Sequence, residues 1–564
     1  MSYTSAAILK SDRLRSGRRA ALSGYPAAAP PPTFNYLRHP PADYPNALAN
    51  PSRSIVAVKP RTLLLVMLVA SCLLPRIVGA VRSTGICPDG VMYIRLADAW
   101  EQGRYRDAME GLDLNLYPPL LMSMHRLGLR YETAGKLWGV LISALVVLPM
   151  FGLFRRQFDD RVATLCCVFY AVHPIFIQWS AEVIRDQTFW FLFMTTLYLQ
   201  WRAVTEIRHG YFFAAGMAMT LAALTRFEGF FLVIPLVFWS VWRFAALADK
   251  PLRRRLILGL TLAFTAFPAI LVLANVLWLS AHSQWVFSRL SPLKLVENWW
   301  QGMIHPVALP PGAPEELQNI SFLRLVEIYV PALVKGLSPL FAVPMLIGMW
   351  TRRRTWARSD HQALFWTAVV VMAAAWIHAW SGRVSCDRYY LPIVLMAAPF
   401  AVLGTLAVSR RLLLWSERLH AGPRLCRLAV VAPLVIVLLG SATVALASKD
   451  NRRQAELDLA AWVRRENGPN ALIFGSEGVT PVVAYHAHAR FIPLLRVFDD
   501  RAVLEVADEK KPDVIMILAT RRNDLQETRR LINQIAARGY HEVERHRLPP
   551  NTDDVLVVME REKI

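Results

Sequence analysis

Residues 389–409 read YYLPIVLMAAPFAVLGTLAVS, an unbroken run without Asp, Glu, Lys or Arg. A bilayer core needs about 20 apolar residues per helix. Lipid leaves no water for unpaired backbone groups, so such a run is read as a membrane-spanning helix. Working outward, comparable uncharged runs occupy 137–154, 162–181, 256–288, 361–382 and 428–448. Shorter apolar runs lie at 62–80, which holds Arg76, and at 187–201, 211–225, 229–242 and 328–350, the last interrupted by Lys335. Together they predict about eleven spans, with the 211–242 pair short enough to be a re-entrant hairpin instead. The expected class is mainly α, a polytopic helix bundle.

The whole chain agrees with this reading. It has 564 residues, 55% hydrophobic and only 19% charged, yet a formal net charge of +21. A fully soluble enzyme and a disordered polyelectrolyte are both poor fits to that balance, and a nucleic-acid binder would need its charge on a folded polar surface. With the N-terminus in the cytoplasm and the spans alternating, the cytoplasmic segments hold 28 Lys and Arg against 8 Asp and Glu, while the other face is nearly neutral. This is the positive-inside pattern. It predicts a multi-pass protein of the cytoplasmic membrane with its C-terminal part outside.

Three regions follow. Residues 1–60, rich in Pro, Ala and basic side chains, are expected to be a disordered cytoplasmic arm. Residues 61–447 are the membrane domain, with long outside loops at 82–135 and 281–328. Trp100, Tyr105, Trp299 and Trp300 suit interfacial helices in those loops. Residues 448–564 carry 19 charges of each sign and alternate apolar and amphipathic stretches, with strands expected at 471–474, 514–518 and 554–559 and helices at 454–463 and 525–537. This predicts a small extracytoplasmic α/β domain. Its Gly475 and Gly478 do not make a phosphate-cradling glycine pattern.

Charged residues are few on the outer face, and they group at the ends of apolar runs. Cys87-Pro88-Asp89-Gly90 follows the first run. Asp89 is either a general base at the membrane–water boundary or the N-cap of a helix over 91–101. Glu182, Arg185 and Asp186 lie between two spans, as a solvated turn with a Glu182–Arg185 pair or as charges of a water-filled cavity. Arg226 and Glu228 interrupt the 211–242 pair, as a local ion pair or part of that cavity. Arg383, Arg388 and Tyr389 stand at the mouth of the 389–409 run. Arginine forks suit phosphate oxygens, and they also snorkel to lipid head groups. Lys335 has the same two readings. Six cysteines form no metal set, and whether Cys87 and Cys386 pair is left open by spacing alone.

In order along the chain, Asp89, Leu116-Tyr117-Pro118-Pro119-Leu120, His173-Pro174, Leu224-Thr225-Arg226-Phe227-Glu228-Gly229 and Arg388-Tyr389-Tyr390-Leu391-Pro392 resemble the polytopic GT-C glycosyltransferases. The similarity is to bacterial relatives of protein O-mannosyltransferases and lipid A aminoarabinose transferases, over roughly residues 60–410. The resemblance implies transfer of a sugar from a polyprenyl-phosphate donor to a protein, lipid or glycan acceptor at the outer face, with inversion. It implies that Asp89 acts near the acceptor and that Arg388 and Tyr389, with Lys335 and Arg383, hold the lipid phosphate. No cofactor or metal is expected, and the partners are the lipid-linked sugar, membrane lipids and the acceptor. Gly90 stands where many relatives carry a second acid, and Tyr117 precedes the Pro pair in place of His or Glu-Lys, so the acceptor class is not implied. The rival reading is a transporter or flippase, which predicts internal repeats with paired broken helices; no clear repeat is present.

Overall fold

A computed structural model describes residues 60–109, 115–274, 322–353, 359–382, 386–447, 451–476, 478–494, 500–519, 525–547 and 555–562. The expected N-terminal arm, most of the 281–328 loop with Trp299 and Trp300, and Arg383 fall outside them.

Helix α1 (Pro60–Arg82) is followed by α2 (Pro88–Glu101), α3 (Tyr105–Ala108) and α4 (Tyr117–Arg126) in the first long loop. Then come α5 (Tyr131–Leu145), α6 (Val147–Gln157), α7 (Asp160–Val172), α8 (Pro174–Ser180), α9 (Asp186–Glu206), α10 (His209–Thr225), α11 (Val233–Ala246) and α12 (Lys250–Ala274). After the next described stretch begins, α13 (Phe322–Leu337), α14 (Pro339–Thr351), α15 (Ser359–Gly382), α16 (Leu391–Arg418) and α17 (Pro423–Ala447) complete the bundle. Short 3-10 segments, Phe227–Leu232 and Asp387–Tyr390, precede α11 and α16.

Among the described residues, five helices are long and apolar enough to cross a membrane, or seven if each of two bent pairs is one span. Helix α10, at 17 residues, is too short to count among them, and α9 is not apolar enough. The outermost helices, α1 and α17, leave Leu63, Val66, Leu74, Leu428, Ile436 and Leu439 exposed, apolar faces suited to lipid tails.

Two runs expected as straight spans are broken. The 162–181 run bends by 58° between α7 and α8, and the 328–350 run by 82° between α13 and α14. Each break precedes a proline at the next helix's first position, Pro174 or Pro339, where the missing N–H costs nothing and the ring blocks continuation of the helix before it. At the first break buried Arg76 of α1 donates to the Tyr170 and Ala171 carbonyls at the end of α7, 3.4 and 3.3 Å away. A cation there also complements the helix C-terminus.

The C-terminal region opens with α18 (Asn451–Asn467) and builds a five-stranded sheet in the order β2-β1-β3-β5-β4. Strands β1 (Leu472–Ser476), β2 (Arg490–Leu494) and β3 (Val514–Ala519) are parallel. Strand β5 (Val555–Arg561) pairs antiparallel with β3, and β4 (Tyr540–Arg547) pairs antiparallel with β5 at the edge. Side chains alternate between faces along a strand. Ile473, Met516 and Val558 therefore pack with α18 and α19 (Thr480–Ala487), while Phe474, Ile515 and Val557 pack with α20 (Asp500–Lys510) and α21 (Leu525–Ala536). The sheet is buried on both faces, so β1 and β3 are continuous apolar runs. Helices α19 and α20 and strands β2 and β4 add to the elements legible in the sequence.

Candidate functional site

Helix α2 begins at Pro88, earlier than the expected 91, because proline fits a first helical position. Cys87 is the N-cap, so Asp89 is not; it sits in the first turn, where a carboxylate complements the helix N-terminus. Gly90 lets α2 lie against the 180–183 segment: a Cβ built on it would stand 3.1 Å from the Val183 carbonyl oxygen. The loop is also tied to α10. Leu116 N–H donates to the Leu224 carbonyl, Asn115 Nδ2 donates to the Thr225 carbonyl at 3.0 Å, and Asn115 Oδ1 accepts from Tyr117 N–H. These bonds bring the Pro118-Pro119 and Thr225-Arg226 motifs side by side.

Arg388, on the 3-10 turn that opens α16, donates to Asp89 and stands 3.8 Å from Asp186. Asp186 also accepts from Arg226, whose guanidinium is gripped in turn by Glu228. Tyr389 lies between the two cations, its ring centroid 5.1 Å from the Arg226 guanidinium and 5.6 Å from that of Arg388. The Arg226 guanidinium also lies over Phe189, and that of Arg388 over Trp179. Trp179 Nε1 donates to Asp387 at 2.8 Å, and Lys335 reaches the other oxygen of Asp387 at 2.7 Å. Six elements thus meet in one charged cluster. Asp186 is buried, its side chain 2% exposed, whereas Asp89 is 39% and Lys335 60% exposed, so the cluster opens toward the Asp89 and Lys335 side. Buried charges of this density survive only when each is paired.

Several expectations are corrected here. The 179–186 segment is not a solvated turn, since Ser180, Glu182, Val183 and Asp186 are buried. The Glu182–Arg185 pair is not formed: Glu182 accepts from Cys87 N–H at 3.0 Å and lies 3.8 Å from Arg453, while Arg185 lies over the Tyr93 ring. Residues 181–185 form turns and bends rather than helix, so the two lack the helical spacing that pairing needs. Arg226 and Glu228 do pair locally, but Asp186 draws them into the larger cluster. Lys335 is in the last turn of α13 at the broken span rather than inside a continuous one. Cys87 and Cys386 are both free thiols. Burial pushes the Cys87 thiol well above its ordinary value and the Cys386 thiol up to about 12. Sequence reasoning passed over Asp387 and Trp179, although one adjoins Arg388 and the other lies in the 162–181 run. The available signal was position, a carboxylate adjoining Arg388 and a Trp at the end of an apolar run.

An apolar cavity of about 20 Å³, walled by His173, Phe341 and Ala398 among others, lies apart from these charges. It has room for about one water.

The fold of this chain has counterparts in solved structures. ArnT from Cupriavidus metallidurans bound to undecaprenyl phosphate matches with a TM-score of 0.50 at 15% identity, over 88% of this chain and 98% of that one. The same enzyme in the apo state gives 0.52 at 15% identity, over 89% and 98%. The Archaeoglobus fulgidus oligosaccharyltransferase in the apo form gives 0.53 at 13% identity, over 87% and 74%. This chain has the GT-C glycosyltransferase fold. Residues 118–278 of the GT-C bundle also match the family model of dolichyl-phosphate-mannose-protein mannosyltransferases. No curated relative matches the sequence. The resemblance drawn from the ordered motifs is therefore borne out in the fold and in the family match, and the multi-pass helical class with a small C-terminal sheet is as expected.

Proposed function

We propose that this protein is an integral-membrane glycosyltransferase that moves a sugar from a polyprenyl-phosphate donor to an acceptor at the outer face of the cytoplasmic membrane. The observation that carries the reading is the meeting of Asp89 and Arg388 in one partly open cluster. A transferase of this kind needs a base for the acceptor and a cation for the leaving phosphate within a few ångströms of one anomeric carbon. The undecaprenyl phosphate in the ArnT structure and the GT-C fold support a lipid-phosphate donor. The charge asymmetry of the sequence supports the outer face, with the C-terminal domain on that side.

The chemistry then runs as one in-line displacement. Asp89 removes the proton of the acceptor hydroxyl or amine as its oxygen or nitrogen attacks the anomeric carbon. The bond from that carbon to the phosphate oxygen breaks, and the lipid phosphate leaves with the electron pair, held by Arg388 and Tyr389 and approached by Lys335. Configuration at the carbon inverts. Arg388 engages Asp89 before substrate arrives, so a donor phosphate that takes the guanidinium also releases the carboxylate to act as base. Arg226, Glu228 and Asp186 keep the Arg388 fork in place, and Arg185 lines the same region beside Tyr93. Electrostatic stabilisation of a leaving group by fixed cations typically contributes on the order of 100- to 1,000-fold.

The test uses purified protein in nanodiscs with radiolabelled polyprenyl-phosphate hexoses and pentoses and a membrane extract as acceptor source. Label transfer lost in Asp89→Asn supports the reading. No transfer from any donor, or transfer unchanged by Asp89→Asn, sinks it.

A further inference from the structure

Helix α18 carries Arg453 across to the membrane domain. Its guanidinium lies 3.8 Å from Glu182 Oε1 and 3.1 Å from Glu456 Oε2. The three side chains are 12%, 10% and 1% exposed, a buried charge group at the junction of the two regions. Glu182 uses its other oxygen to accept the Cys87 N–H, two residues before Asp89. The contact is wider than this one chain of bonds. Val482 of α19 packs in the same apolar cluster as Ile86, Cys87, Val91 and Tyr93. Gly85 turns with φ +71°, and a Cβ built there would stand 3.4 Å from His486 Nε2 and 3.9 Å from Arg453 Cδ. A side chain at this position would be strained and would also crowd the interface.

We infer that Arg453 is a positioning residue: through Glu182 it fixes the Cys87 amide and so the placement of Asp89, making the C-terminal domain part of the transfer site's framework. The inference rests on the reading of Asp89 as base. Physically, Glu182 has two tasks, to hold an N–H of the loop and to stay ionised while buried. A buried carboxylate stays ionised only when a cation and hydrogen bonds accompany it. Arg453 supplies the cation from outside the membrane domain. Without it Glu182 turns toward water or protonates, and the loop loses its tether. The helix that bears Asp89 starts at that tether, so a shift there moves the carboxylate. A misplacement of about 1 Å can cost on the order of 100-fold in rate.

The experiment measures two things on the full chain in nanodiscs, hydrogen exchange of peptides covering 84–96 and steady-state sugar transfer. Arg453→Met is expected to raise exchange at the Cys87 amide about tenfold, and to lower kcat by about 10- to 100-fold while the donor KM stays within about twofold. Arg465→Met, on the exposed side of the same helix, is the control and leaves both readouts unchanged. Glu182→Gln is expected to reproduce the Arg453→Met effects, and the double variant to be no worse than either single one, since one coupling has been cut. Should Arg453→Met fail to fold, Glu182→Gln and the double variant, which removes both buried charges together, carry the test. Wild-type exchange and kcat in a folded Arg453→Met or Glu182→Gln protein, or strictly additive losses in the double variant, overturn the inference. Transfer that survives Asp89→Asn instead overturns the assignment of the base, a failure read on a different variant.

Discussion

Arg388 and Asp89, 299 residues apart in the chain, share a direct charge-assisted hydrogen bond at the mouth of the helix bundle. Arg388 is simultaneously held near Asp186, so one guanidinium joins the first long loop, the start of α9 and the start of α16. A planar fork can serve two carboxylates in this way, whereas an ammonium is a single point charge. Arg388→Lys is therefore expected to lose at least about tenfold in sugar-transfer rate despite keeping its charge. Arg388→Gln and Asp89→Asn are each expected to lose about 100-fold or more. Initial rates of label transfer check this; equal rates for Arg388→Lys and wild type would show that the fork is not needed.

Asp186 is the most buried acid of the cluster and faces both Arg226 and Arg388. Removing its charge leaves two guanidinium groups in a low-dielectric site with less compensation. Breaking a buried pair from one side typically costs about 3–5 kcal/mol. Asp186→Asn is expected to lower the thermal transition of the detergent-solubilised protein clearly, and Asp186→Asn combined with Arg226→Met to recover part of the loss. A single variant as stable as wild type would mean that Glu228 and Asp89 alone balance the cations.

The sequence made the membrane, the order of the motifs and the two ends of the Asp89–Arg388 pair legible, because charge is costly in lipid and stands out against an apolar background. Other features were hidden for physical reasons. The breaks at Pro174 and Pro339 lie inside runs whose hydropathy is continuous, and hydropathy does not register a bend. The partner of Glu182 was misread because i, i+3 spacing predicts a contact only on an intact helix, and residues 181–185 are not one. Asp387 adjoins the quoted Arg388 motif, but a buried acid is recognised by what it faces, Trp179 and Lys335, which only tertiary structure brings near.

Cys87 and Cys386 are expected to remain reduced and unreactive. Burial is the main cause of the upward shift in both, with Glu182 adding to it at Cys87 and Asp387 at Cys386. A raised thiol pKa leaves little thiolate, the reactive form, at pH 8. Maleimide is expected to leave both unlabelled in the native protein and to label both after denaturation. Rapid native labelling, or a faster band on a non-reducing gel that changes with Cys87→Ser, would contradict this arrangement.

His486 gives the seam between the C-terminal domain and the first loop a dependence on pH. Burial lowers its pKa below the usual imidazole value. Arg453, Lys136 and His488 push the same way, and Glu132 opposes them. The folded state therefore binds this proton less readily than the unfolded chain. The sign follows from linkage: stability rises with pH wherever the unfolded state holds more protons. The contribution is complete above an ordinary imidazole pKa of about 6.5 and is lost as pH falls through that value toward the lower folded one. Hydrogen exchange in peptides covering Gly85 and residues 480–488 is expected to increase between about pH 7 and pH 5. His486→Gln, which cannot take up the proton, is expected to flatten that rise while leaving exchange at pH 7.5 close to wild type. An equally steep rise in His486→Gln would place the pH sensitivity elsewhere, with His488 the next group to replace.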